Sequence, residues 1–185
     1  MEFKIEKKVL EGIIILIPEL FKDERGFFIE TYRADQFEKL GIKEKFVQDT
    51  HSGSVKDVLR GLHFQFDPPM GKLMRISKGE AYVVAVDIRK DSPTLGKWHG
   101  EIISEENRKQ VWAPAGFARG FCVLSDYAEV QYKYTAIYNS KGESNILWND
   151  ADIGIDWPIE NPILSNRDKN AGTLSEWLNK ENQIN

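Results

Sequence analysis

At 185 residues the chain is long enough to bury a full core as one domain without disulfide or metal staples, and its 41% hydrophobic and 29% charged residues are those of an ordinary globular protein. The longest apolar run, at 13–17, is far short of a membrane span, and the opening MEFKIEKK lacks the long apolar stretch and cleavage site of a signal peptide. A cytoplasmic protein with no membrane partner is therefore expected; the net charge of −4 comes with no Lys/Arg stripe, which argues against nucleic acid, and the lone Cys122 excludes an internal disulfide.

In chain order, apolar and β-branched runs predict strands at 12–17, 26–32, 46–50, 58–64, 73–77, 81–88, 98–103, 110–112, 120–124 and 129–136. Turn chemistry separates them at short intervals: "KDERG", "FDPPMG", "SKGE", "RKDSPTLG", "PAG" and "YNSKGE" all carry Gly, Pro, Asp or Asn. Helix is expected only at 34–40, closed by Gly41, at 174–178, and as one turn at 104–108 with Ser104 as N-cap. No repeat or linker divides the chain, so a single domain spanning 1–185 is expected. Many short strands with long connections predict an all-β fold, a double-sheet jelly roll of the kind that includes the cupins. The segment "WNDADIGIDWP" is expected to fold back on the barrel as a loop.

His63, in "LRGLHFQF", is the first candidate for chemistry. Period-two alternation sets Leu59, Gly61 and His63 on one face and Arg60, Leu62 and Phe64 on the other, a mixture suited to strands that line a cavity. Lys72 follows a Pro-Pro turn, so the chain is expected to return antiparallel and bring an ammonium near the imidazole. Asp168, in "LSNRD", is placed in a loop from which its carboxylate can fix the histidine's tautomer. Tyr132, Tyr134 and Tyr138 share strand parity, and one of these phenols is a candidate proton donor. The three histidines form no His-x-His pair and no tight cluster with Glu, so no metal is expected. No Gly-x-Ser-x-Gly, Walker or Rossmann pattern is present, and Cys122 in "GFCVLS" reads as a small buried hydrophobe. What remains is acid–base chemistry without a cofactor.

Several stretches together make the chain recognisable. "DERGFFIE", "FVQDTHS", "VLRGLHFQ", the "PP" turn before Lys72, "VAVDIRKDSPTLGKW", "PAGFARGF", "AEVQYK", "ILWNDADIGIDWP" and "LSNRD" resemble, in order and from about residue 5 to 178, the dTDP-4-dehydrorhamnose 3,5-epimerase family. The resemblance implies a cupin-type jelly roll, a homodimer, no cofactor or metal, and a nucleotide-sugar substrate. That substrate is dTDP-4-dehydro-6-deoxy-D-glucose, on the way to dTDP-L-rhamnose. It also implies His63 as base, Tyr132 as proton donor and Asp168 as the partner of the histidine. Lys72 would stabilise the oxygen on which charge develops.

By the same motifs, Arg25, Glu30, Gln48, Arg60, Glu143 and Arg167 are expected to bind substrate. Two positions depart from the family pattern: Arg119 replaces the usual histidine of "GFAHGF", and Thr50 replaces the usual asparagine after "QD". Both are kept as substrate-binding positions, Arg119 as a donor to phosphate or a sugar hydroxyl. Inversion at one centre only, on a related nucleotide 4-keto sugar, is the alternative within the same chemistry. A non-catalytic sugar-binding jelly roll is the alternative outside it, and a metal-dependent cupin is a third.

Overall fold

A computed structural model describes residues 1–180. Its strands are β1 (Phe3–Val9), β2 (Ile13–Pro18), β3 (Leu20–Asp23), β4 (Gly26–Ile29), β5 (Gln48–Val55), β6 (Leu59–Gln65), β7 (Lys72–Lys78), β8 (Glu80–Asp87), β9 (Trp98–Ser104), β10 (Gln110–Ala113), β11 (Phe117–Val123), β12 (Tyr127–Tyr134) and β13 (Glu143–Asn145). Three short helices accompany them: α1 (Ala34–Lys39), α2 (Asn166–Lys169) and α3 (Leu174–Leu178). The strands form a six-stranded sheet, β1-β2-β10-β7-β12-β5, facing a five-stranded sheet, β13-β6-β11-β8-β9, while β3 and β4 make a separate hairpin. All the strand pairs are antiparallel. The fold is the cupin-type jelly roll that the turn spacing predicts.

The unbroken run Ile13-Ile-Ile-Leu-Ile has no polar position to offer solvent because both of its faces are covered. Ile13 and Ile15 join Met74, Val83, Phe117 and Val130 between the sheets. Ile14 and Leu16 pack outside, with Phe37 of α1, Ile42 and Trp112. The five-stranded sheet is covered in the same way, where the C-terminal wrap lays Ile153, Leu174 and Trp177 over Leu62, Phe64 and Val86. Two polar anchors hold that wrap. A capping box starts α3, with Thr173 Oγ1 accepting from the Glu176 amide at 3.1 Å and Glu176 accepting from the Thr173 amide at 2.9 Å. The buried Asp150 carboxylate accepts from the Leu174 amide at 2.7 Å, so "WNDADIGIDWP" does fold back on the barrel.

Four details differ from the sequence reading. β1 and β3 are not among the predicted strands, although in β1 Phe3, Ile5 and Val9 alternate with charged residues. β11 begins at Phe117, three residues early, because all seven of its residues are buried and show no alternation. β13 and α2 are too short to leave a periodic signal. Finally, β6 and β7 do not pair: the Pro-Pro segment carries the chain from the five-stranded sheet to the six-stranded one, so the two strands face each other across the interior. Among the described residues, no helix is long and apolar enough to cross a membrane.

Candidate active site

One end of the space between the sheets is filled with apolar side chains; the other is a cavity of about 220 Å³. From the six-stranded sheet, Thr50 and Ser52 of β5, Lys72 and Met74 of β7, and Tyr132 and Tyr134 of β12 line it. Their register explains the grouping, since Tyr132 lies opposite both Thr50 and Met74, and Tyr134 opposite Lys72, so all project to one face. The other wall carries Arg60, His63 and Gln65 of β6, Arg119 of β11 and Glu143 of β13.

Arg60 and His63 share that wall because β6 is bulged. His63 pairs with Arg119 and Arg60 with Phe121, so Gly61 and Leu62 together oppose the single residue Gly120. The predicted split of Arg60 from His63 by strict alternation is thereby overturned. Only glycine serves at position 61: its φ is +144°, and a Cβ there would sit 2.5 Å from the Gly120 Cα.

His63 Nε2 lies 2.6 Å from Asp168 Oδ1. Asp168 is buried in α2, where Ser165 caps the helix by accepting from the Asp168 amide at 3.1 Å. Burial alone would raise the Asp168 pKa, but hydrogen bonds from His63, Ser165 and the Gly61 amide outweigh it and hold the carboxyl below its ordinary value. An ionised Asp168 only accepts. Nε2 therefore carries the proton, and the lone pair is left on Nδ1.

Tyr132 stands on the opposite sheet, its hydroxyl 3.3 Å from Ser52 Oγ. Burial raises the phenol's pKa well above its usual range, so it stays protonated and able to donate. Lys72 behaves in the opposite sense: burial, with the Arg119 charge added and Glu143 opposing, pulls its amine down to about 7. Its Nζ sits 5.3 Å from the centroid of the Tyr134 ring. Glu143 accepts from Tyr138 at 2.9 Å and pairs with Arg167 at 2.7 Å, which ties the cavity rim to α2. Arg60 Nε donates to Ser54 at 3.0 Å.

The structure thus gathers His63, Asp168, Lys72, Tyr132, Thr50, Arg60, Arg119 and Glu143, with Arg167 attached through Glu143. Gln48 is adjacent but occupied, its Oε1 accepting from the Tyr138 amide at 2.8 Å. Arg25 and Glu30 are not brought in. Arg25 pairs with Asp23 on the β3–β4 hairpin, and Glu30 lies 3.4 Å from Arg33. Sequence reasoning missed Ser52, Ser54 and Gln65; the period-two row Thr50, Ser52, Ser54 carried the signal for the first two. Cys122 is fully buried, which pushes its thiol up to about 12 and suits the inert role expected of it. A second hollow, of about 330 Å³, lies beside Asp49, His51, Arg75 and Lys133. Its charged groups already have partners, with His51 3.2 Å from Glu129, Lys133 2.9 Å from Asp49, and Arg75 bonded to Gln131.

A jelly roll with a carboxylate-held imidazole on one wall, a protonated phenol on the other and cations between them is of the class of acid–base enzymes built on a cupin scaffold. Comparison with known proteins narrows this. The sequence profile described as dTDP-4-dehydrorhamnose 3,5-epimerase matches residues 7–176, and the chain belongs to that family of isomerases. A relative in Shigella flexneri carrying that name is 52% identical over 167 residues, covering 89% of this chain and 92% of its own. The crystal structure of a dTDP-6-deoxy-D-glucose-3,5-epimerase from Legionella pneumophila, in complex with dTDP-4-keto-L-rhamnose, superposes with a TM-score of 0.91. It is 44% identical, with 94% of each chain covered. A more distant relative in Streptomyces niveus, 36% identical over 90% of this chain and 82% of its own, is named a dTDP-4-dehydrorhamnose 3-epimerase.

Proposed function

We propose that this protein inverts carbons 3 and 5 of dTDP-4-dehydro-6-deoxy-D-glucose, giving dTDP-4-dehydro-L-rhamnose for dTDP-L-rhamnose synthesis. The observation that carries this reading is the His63–Asp168 pair facing Tyr132 across one cavity that also holds Lys72. The ketone at carbon 4 acidifies the hydrogens on both neighbouring carbons. His63 takes a proton from one of them, the electron pair moves onto the carbon 4 oxygen, and the Lys72 ammonium stabilises that charge. Tyr132 returns a proton to the other face of the same carbon, and the enolate collapses to the ketone with the centre inverted. No oxidant, reductant or further reactant is consumed.

The nucleotide diphosphate suits the arginines at the rim, whose planar forks match phosphate oxygens. Arg25 and Glu30 act, in this reading, on a second copy of the chain. The hairpin that carries Arg25 exposes Phe21, Phe27 and Phe28, which favours a homodimer in which it covers its partner. One domain carries the whole reaction, and a nucleotide-sugar substrate favours a cytoplasmic location.

A solvent-exchange experiment tests the proposal. With the keto sugar in heavy water, deuterium is expected at both carbon 3 and carbon 5. Label at one carbon alone would establish the single-centre reaction instead. Absence of exchange overturns both readings.

A further inference from the structure

Arg119 is a buried cation to which the reaction above gives no role. Arg119 is 3% exposed and, among the described residues, meets no carboxylate: Nη2 donates to the Met70 carbonyl at 3.2 Å, and Nη1 donates to the Ala113 carbonyl and, at 3.5 Å, to that of Lys72. Its Nε is buried with no hydrogen-bond partner among the described residues. A buried cation with no counter-charge and an unused donor is among the costliest arrangements a fold can keep. Its position is not that of a packing residue either. Arg119 lies directly opposite His63 in the β6–β11 ladder, so the two side chains leave the sheet on the same side, and both line the cavity.

We propose that Arg119 is a catalytic residue of this protein, a buried positive charge that shares with Lys72 the negative charge developing on the substrate's carbon 4 oxygen. The inference rests on the epimerase reading given above. The missing counter-charge is then the enolate itself, present only while the reaction is under way, which is the condition for an interaction to raise kcat instead of merely tightening binding. The three carbonyl acceptors fix the guanidinium before substrate arrives, so no reorganisation is needed as charge appears.

Arg119 also acts on its neighbour. The groups around the Lys72 amine are Arg119 from β11, Glu143 from β13, Arg167 from α2, Tyr134 from β12 and His63 from β6. Burial is the largest influence depressing that amine, the Arg119 charge the next, and Glu143 opposes them. Removing the Arg119 charge should therefore move the alkaline limb of the kcat profile, where Lys72 loses its proton, to higher pH.

The experiment compares R119M and R119K with the native protein, measuring kcat and KM from pH 5.5 to 9.5, dTDP binding and thermal unfolding. R119M is expected to bind dTDP as the native protein does and to melt no lower, while kcat falls by at least about 100-fold. Its alkaline limb should shift upward, and R119K should recover much of the rate with the limb near its native position. Native kcat and limb in R119M would overturn the proposal. So would a loss of dTDP binding that accounts for the whole loss of rate, which assigns Arg119 to the diphosphate. Should R119M not fold, R119K decides alone: a rate near native supports a charge requirement, and a collapse to background at unchanged dTDP binding overturns it. Absence of deuterium exchange by the native protein would instead defeat the epimerase reading itself.

Discussion

Substituting Lys72 separates two effects of its amine. In the folded protein burial holds its pKa at about 7, against an ordinary 10.5, so between those values the unfolded chain binds a proton that the native state does not. Stability contributed by this site therefore rises with pH across that window. Below about pH 7 the full cost of burying the ammonium is present. Lys72→Met removes the cost along with the charge proposed to hold the enolate oxygen. The expected result is a variant with kcat lowered by about 100-fold or more and a thermal midpoint equal to or above native. The gain in midpoint should be largest below pH 7 and fade as pH climbs toward 10; melting curves across that range check it, and a variant that melts lower at pH 6 contradicts it. Asp168 shifts stability in the same direction with pH, in a more acidic window. Its carboxyl sits below the ordinary value, so its contribution to stability is present above the unfolded pKa and lost as pH falls through the folded one.

At the scale of elements, the β6 bulge decides which residues meet substrate. Without the extra residue at 61–62, alternation would turn Arg60 away from the cavity when His63 faces it. Gly61→Ala must move the Gly120 backbone, since its Cβ would lie 2.5 Å from the Gly120 Cα at a φ of +144°. A loss of about 2 kcal/mol or more in stability is expected, with a larger fractional loss of kcat than of dTDP affinity. Chemical denaturation beside steady-state kinetics tests this, and unchanged stability would remove the requirement for glycine. The same strand shows how far the sequence could be read. His63, Lys72, Tyr132 and Asp168 were legible as residue types in a chain with only three histidines, and the turns between strands were legible from Gly, Pro and Asx. The bulge was not, because a two-for-one opposition is a property of the β6–β11 pair and not of "LRGLHFQ". Nor was the change of sheet between β6 and β7, since a Pro-Pro turn predicts a reversal but not which sheet receives the returning strand. The burial of Arg119 was hidden for the same reason: its three carbonyl acceptors come from residues 70, 72 and 113, on other segments of the chain.

For the molecule as a whole, α1 packs over the β2–β10 part of the six-stranded sheet and the C-terminal wrap over the β6–β8 part of the five-stranded one, so much of the outer apolar surface is covered. The β3–β4 hairpin instead gathers three exposed phenylalanines on one small unit. Phe27 and Phe28 are 63% and 61% exposed, Phe21 is 47% exposed, and Arg25 at the tip pairs, among the described residues, only with its neighbour Asp23. An isolated two-stranded hairpin is marginal in water, and this one pairs with neither sheet. In the homodimer proposed above a second copy of the chain covers it, and the motif resemblance gives Arg25 and Glu30 a substrate to bind there although their own cavity lies elsewhere. Phe27→Ser combined with Phe28→Ser should therefore reduce the mass measured by light scattering from twice the 21.3 kDa chain value to that value. Because His63, Asp168, Tyr132 and Lys72 all come from one chain, the monomer should still exchange deuterium into the keto sugar, but with KM raised by the loss of the partner's hairpin. If the double variant remains a dimer with native KM, the hairpin is not the interface. If it becomes a monomer with native KM, Arg25 and Glu30 do not serve a neighbouring site.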